Sequence, residues 1–139
     1  MKNFFLKKRV LITGHTGFKG SWLSLWMHYM GANVMGVSNG DVSRPSNFRV
    51  LKIKNKIKSK KFDIKNFKKT KRAIESFKPN FIFHLAAEAI VKRSYKYPKK
   101  TWETNLLGTI NILEILKNYN KKVTVVIITS DKVYKNFEI

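Results

Sequence analysis

The chain has 139 residues, 43% of them hydrophobic and 13% aromatic, no cysteine, and 29 lysines and arginines against 8 acids, for a net charge of +21. That is about one domain's length with enough apolar material for a core, which argues against disorder, and without cysteine neither a disulfide framework nor a thiolate metal site is available. No apolar run approaches the length of a membrane span, and "FFL" is cut off by Lys7, Lys8 and Arg9 too soon for a secretory leader, so a cytoplasmic location without a membrane partner is expected.

The excess charge would attract any polyanion. Most of it is lysine spread through "LKIKNKIKSKK" and "KNFKKTKR", without the arginine-rich or aromatic-interleaved pattern of a nucleic-acid reader. We therefore read it as a solvated surface and expect no nucleic-acid partner, with a non-catalytic polyanion-binding remnant as an alternative.

In chain order, Val10 to Ile12 is a short β-branched run typical of a buried parallel strand. After a glycine loop, Trp22, Leu23, Leu25, Trp26, Tyr29 and Met30 recur at helical spacing, and Gly31 supplies a stop. Val34 to Val37 is a second strand, and "SNGDVSRPSN" a loop. A third strand is expected at about 57–62, then a helix over 66–77 stopped by Pro79. "FIFHLAA" reads as a buried strand. Pro98 opens a long helix through about Tyr119, with Trp102, Leu106, Ile110, Leu113 and Leu116 as its apolar face, and "VTVVIITS" is the fifth strand.

Strands alternating with helices predict an α/β fold, a Rossmann-like doubly wound parallel sheet in the order 3-2-1-4-5, truncated after about the fifth strand. Ligands of such sheets bind at the carboxyl ends of the strands, beside the switch point between strands 1 and 4. Three segments converge there: Gly14 to Gly20, His84 to Glu88 and Thr129 to Lys132. The first is Gly-x-x-Gly-x-x-Gly between a strand and a helix, a spacing variant of the dinucleotide fingerprint. Missing Cβ atoms let the backbone turn and approach a pyrophosphate at the helix start, and Gly20 is expected to allow close helix-to-strand packing. His84, on an apolar strand with no second ligand at suitable spacing, reads as a satisfied core histidine rather than a metal ligand. Tyr95, Tyr97 and the tryptophans of the first helix read as packing residues.

Together "TGHTGFKGSWL", "HLAAEAIVKRSY", "TNLLGT" and "TSDKVY" resemble the N-terminal part of the extended short-chain dehydrogenase/reductase family, and within it the CDP-glucose 4,6-dehydratase subfamily. The resemblance implies an NAD cofactor, a nucleotide-sugar substrate (CDP-glucose) and a homo-oligomeric parent enzyme. Epimerases and reductases of sugar nucleotides share the glycine loop and stay open as alternatives. The implied cofactor-binding residues are Gly14, Thr16, Gly17, Phe18 and Gly20 on the loop, the adenine-contacting pair Asp63 and Ile64, then Leu85, Ala86 and Ala87, and Asn105, which would brace the active-site backbone. After the second strand no ribose-binding acid is clear among Ser38, Asn39 and Asp41, so NAD over NADP rests on the resemblance.

The implied catalytic residues are Ser130, assisting removal of a sugar hydroxyl proton, Asp131, the acid that protonates the departing C6 hydroxyl, and Lys132, standing where related enzymes carry glutamate. Glu88 departs from the glutamine commonest in the subfamily. The family's Tyr-x-x-x-Lys pair falls a few tens of residues past Lys132, and Tyr134 is followed four positions on by Glu138. Residues 1–139 are accordingly expected to form an incomplete NAD-binding domain, lacking the C-terminal sugar-nucleotide domain and inactive by themselves.

Overall fold

The computed structural model describes residues 4–41 and 45–130. Five parallel strands, β1 (Arg9–Thr13), β2 (Asn33–Ser38), β3 (Lys58–Lys61), β4 (Phe81–His84) and β5 (Thr124–Ile127), form one sheet in the order β3-β2-β1-β4-β5, as the sequence pattern predicts. Alternation along the strands divides the core into two layers. Leu11, Met35, Val37 and Ile82 face one side, where α3 (Phe67–Phe77) contributes Ala73, Ile74 and Phe77. Val10, Ile12 and Val34 face the other, beneath Met27 and Met30 at the end of α1 (Phe18–Tyr29).

Helix ends follow the sequence signals closely. Asn66 caps α3 by accepting the Lys69 N–H at 3.0 Å, and Lys78 ends the helix in the left-handed conformation (φ 53°) immediately before Pro79. The segment after β2 is more structured than its turn-rich sequence suggests, with α2 (Asn47–Val50) and a 3₁₀ turn (Ile53–Asn55) burying Phe48 and Ile53. A short helix, α4 (Val91–Lys96), is likewise unanticipated.

Two expectations about helix faces are overturned. In α1 the residues against the sheet are Gly20, Ser21, Ser24 and Met27, while Trp22, Trp26 and Tyr29 are 50%, 59% and 70% exposed. Tyr95 and Tyr97 are exposed too, so none of these aromatics is a core packing residue. The small face wins because it lets the helix approach the strands, and its hydroxyls are satisfied within the helix: Ser21 donates to the Phe18 carbonyl and Ser24 to the Gly20 carbonyl.

The helix begun by Pro98 comprises α5 (Pro98–Trp102), a π-helical turn (Glu103–Leu107) and α6 (Gly108–Lys117). It buries Thr104, Gly108, Ile112 and Ile115, leaving Trp102, Leu106, Ile110 and Leu113 exposed and Leu116 only partly buried. Ile64 explains the choice, since a Cβ on Gly108 would lie 2.4 Å from Ile64 Cδ1, so a bare helix surface is needed there. Among the described residues no helix is long and apolar enough to cross a membrane.

Gly36 provides a test of this close packing. A Cβ there would stand 2.2 Å from Cγ of His15, an imidazole held between the glycine loop and β2. Gly36→Ala is expected to lower stability by about 1–3 kcal/mol through overpacking, read as a lower urea midpoint at unchanged slope.

Candidate functional site

The carboxyl ends of the strands open on a cleft of about 900 Å³, walled by the glycine loop, the residues leaving β2, Asp63 and Ile64 after β3, and Leu85 to Ile90 after β4. The three glycines do different work. Gly14 has φ +73°, and a Cβ on it would lie 2.8 Å from the Ala86 nitrogen. On Gly20 a Cβ would fall 2.2 Å from the Gly14 carbonyl oxygen, in keeping with the packing role expected of it. Gly17 is different: a Cβ would meet only the Gly14 oxygen, at 3.3 Å, and its own backbone is extended (φ −71°, ψ 170°).

Helix α1 starts directly after Gly17 with no side-chain cap and no acid in its first turn, and Phe18, Lys19 and Gly20 all border the cleft. The first N–H groups of a helix have no intrahelical acceptor. An uncapped helix start beside a lysine, at the switch point of a parallel sheet, fits the pyrophosphate of a dinucleotide. Thr16 does not reach into this space freely, because its hydroxyl lies 2.6 Å from the Gly40 carbonyl and 3.0 Å from the buried Ser38 hydroxyl, tying the loop to the end of β2.

A polar relay crosses the floor of the cleft. Thr13 Oγ1 accepts the N–H groups of Leu85 and Ala86, both at 3.2 Å, and lies 2.7 Å from His84 Nδ1. On the far side of the ring, His84 Nε2 is 2.9 Å from Thr109 Oγ1, which donates to the Asn105 carbonyl at 2.7 Å. Thr13 therefore donates to Nδ1, and Nε2 carries the proton of a neutral imidazole. The Asn105 side chain accepts the Glu88 N–H at 2.8 Å and donates to the Glu88 carbonyl at 3.4 Å. His84 is thus a satisfied core histidine, and Asn105 is occupied in bracing the backbone of the loop after β4. Among the described residues no group of three His, Asp or Glu could hold a metal.

The remaining candidates are placed as follows. Asp63 borders the cleft, with Oδ1 accepting the Lys65 N–H at 2.9 Å. Ile64 turns its side chain into the core, and its carbonyl accepts Asn111 Nδ2 at 3.1 Å and Thr70 Oγ1 at 3.2 Å, so neither its side chain nor its carbonyl is left for a ligand. Leu85, Ala86 and Ala87 border the cleft. Ser130 follows Thr129 beyond β5, and Asp131 and Lys132 lie outside the described residues. Sequence reasoning missed Arg93 and Lys100, which border the cleft and pair with Glu88 at 3.6 and 3.2 Å. Their only sequence signal was a cluster of basic residues after "HLAAEA", indistinguishable from the lysine-rich surface elsewhere.

An open parallel sheet with a glycine loop and an uncapped helix start at its switch point is a Rossmann-like fold. Residues 11–138 match the GDP-mannose 4,6 dehydratase family, and the chain belongs to it. It is 46% identical over 99% of its length to CDP-glucose 4,6-dehydratase of Salmonella typhimurium, and 30% identical over 94% to CDP-paratose 2-epimerase of Salmonella typhi. It spans 38% and 39% of the length of those two relatives. The crystal structure of UDP-glucose 4-epimerase from Bifidobacterium longum, solved in complex with NAD+ and UDP, superposes with a TM-score of 0.77 at 26% identity, covering 91% of this chain and 38% of that one.

Burial lowers the pKa of His84 from 6.5 to about 4, and it also lowers that of His15, opposed there by the Val37 backbone and the Asp41 carboxylate. A depressed histidine stays neutral in the fold while the unfolded chain takes up a proton. Its stabilising contribution is therefore complete above pH 6.5 and is lost as the pH falls from there through the folded value. For His84 alone the loss is expected to reach about 3 kcal/mol by pH 4. Urea unfolding at a series of pH values measures it, and an NMR titration of His84 with a midpoint near 6.5 would contradict it.

Proposed function

We propose that this chain is the NAD-binding portion of a nucleotide-sugar 4,6-dehydratase that converts CDP-glucose to CDP-4-keto-6-deoxyglucose. The observation that carries the assignment is the 46% identity over 99% of the chain to CDP-glucose 4,6-dehydratase, against 30% over 94% to the CDP-paratose epimerase. NAD as cofactor is supported by the uncapped start of α1 and by the NAD+ bound to the Bifidobacterium longum enzyme. The exposed stripe of Trp102, Leu106, Ile110 and Leu113 supports a homo-oligomeric enzyme, and the lysine-dominated charge is assigned to surface rather than to a nucleic-acid partner.

In the reaction, NAD supplies a hydride acceptor at sugar C4 and, once reduced, the donor at C6. This chain's residues serve binding, orientation and proton movement. The first-turn N–H groups of α1, with Lys19, hold the pyrophosphate, and Gly17 keeps its path clear. Asp63 accepts from the adenine amine. Asn105 holds the Glu88 backbone, which sets the wall between Ala87 and α4. Ser130 hydrogen-bonds the sugar C4 hydroxyl, and Asp131 delivers a proton to the departing C6 hydroxyl, a role needed for dehydration but not for epimerisation. Lys132 is assigned to the same group of residues. Serving as the base at C5 would require its pKa to be depressed.

Two measurements test this. Gly17→Ala fits the extended backbone, so it is expected to leave stability within about 1 kcal/mol while weakening NAD binding at least tenfold by calorimetry. Unchanged NAD affinity would remove the loop from the site. Replacing the matching segment of the Salmonella typhimurium enzyme with residues 1–139 is expected to give a chimera that forms the 4-keto-6-deoxy product from CDP-glucose, followed by its absorbance in alkali. Asp131→Asn in that chimera is expected to cut turnover by about 10²-fold or more. A folded, NAD-binding chimera that leaves CDP-glucose unchanged would refute the substrate assignment.

A further inference from the structure

Between Gly14 and Gly17 the glycine loop carries two side chains, His15 and Thr16. Thr16 borders the cleft, whereas His15 is 1% exposed and enclosed by β2, β3 and α2. Its ring occupies the space that a Cβ on Gly36 of β2 would need, lies edge to face with Phe48 of α2 at 5.1 Å between centroids, and places Nε2 2.7 Å from Ser59 Oγ on β3. Helix α2 is itself tethered to the end of β2, where Asp41 Oδ2 meets Arg49 Nε at 2.5 Å, so Phe48 backs the ring from an anchored segment.

The other ties of the loop tip to this side of the fold end on β2 and the residues leaving it. The Gly14 N–H donates to the Val37 carbonyl at 2.8 Å, and the Thr16 hydroxyl meets Ser38 and the Gly40 carbonyl. Among the described residues of the loop, only His15 has a hydrogen bond to the edge strand β3. An apolar side chain would fill the same space without burying a polar ring, so packing does not account for a histidine there. Nδ1 completes no hydrogen bond, and the Val37 backbone acts on the ring from outside bonding geometry, which leaves Ser59 as the directional contact of the imidazole. Packing fills volume, whereas a hydrogen bond also fixes direction. Immediately after the tip, the extended backbone of Gly17 leads into the uncapped first turn of α1, so a displaced tip displaces the groups assigned above to the pyrophosphate.

We propose that His15 is a positioning residue: through Ser59 it fixes the tip of the glycine loop to the edge strand, and so sets how tightly the loop holds a dinucleotide. The effect on affinity rests on the NAD reading given above, and the effect on the loop does not. The test uses the whole chain with Ser59→Ala, which removes the bond at an exposed position, Ser59→Thr, which keeps the hydroxyl, His15→Phe, which keeps a ring against Phe48, and the His15→Phe/Ser59→Ala double variant. In the ligand-free chain the amide resonances of Gly17 and Phe18 are expected to shift in Ser59→Ala and to stay near their original positions in Ser59→Thr. By calorimetry Ser59→Ala and His15→Phe are each expected to weaken NAD binding roughly three- to tenfold, Ser59→Thr is expected to bind nearly as the unaltered chain does, and the double variant is expected to bind no more weakly than the weaker single one, because one bond is lost only once. Loop amides that ignore Ser59→Ala would overturn the proposal, as would losses that multiply in the double variant. A lower urea midpoint with unchanged NAD affinity would make His15 a structural residue only and would also overturn it. Should His15→Phe fail to fold, the two Ser59 variants decide by the same criteria. Shifted loop amides in a chain that binds no NAD would support the strut and overturn the dinucleotide reading.

Discussion

Three backbones meet at the switch point with no space for a side chain. Gly14 lies against Ala86 where β1 and β4 part, and Gly20 lies against the carbonyl of Gly14 where α1 begins. Such an approach is available only to glycine, and it sets the position of the helix start relative to both strand ends. The cleft follows from it. Because α1 begins so close to β1, its uncapped first turn forms one wall, and the loop after β4 forms the opposite one. A shift of the helix by a methyl group would move the groups proposed to hold the pyrophosphate.

The relay through His84 is the second constraint. Thr13 on β1, His84 on β4, Thr109 on α6 and Asn105 on the π-helical turn are linked by hydrogen bonds that end on the Glu88 backbone. Each member is satisfied by the next, so the network behaves as a unit and carries the position of the strands to the wall of the cleft. A π turn adds a residue to one helical turn, which is how Thr104 borders the cleft and Asn105 reaches the Glu88 backbone while Gly108 and Ile112 still meet the core. The neutral state of His84 belongs to this network.

Charge is distributed unevenly over this frame. The strand β3 reads Lys-Ser-Lys-Lys and is exposed throughout, and at its end Lys61 stands next to Ser38. Around Glu88, by contrast, Arg93 and Lys100 are drawn onto a carboxylate. A surplus of +21 thus includes cations whose charge is locally answered and others whose charge is not. Position decides which of them can act on an anion, and composition alone does not.

The order of the sheet, its parallel sense and part of the cleft's border, the glycine loop and the residues after β4, were legible in the sequence, because short β-branched apolar runs alternating with helical runs allow few right-handed windings. The glycine loop was equally legible, since glycine spacing between a strand and a helix has few other uses. Which face each helix buries was not. Both α1 and the helix from Pro98 carry two stripes at helical spacing, one large and apolar, the other small and mixed, and hydrophobicity favoured the large one. The sheet selected the small one, because Gly20 and Ser24 in one helix and Gly108 in the other permit an approach that tryptophan and leucine would block. The pairing of Asp41 with Arg49 was hidden for a similar reason: the two are eight residues apart and meet only when α2 folds back toward the end of β2. Periodicity along the chain determines the elements and their winding, while the distance of closest approach between surfaces, set only once they pack, decides which side chains meet.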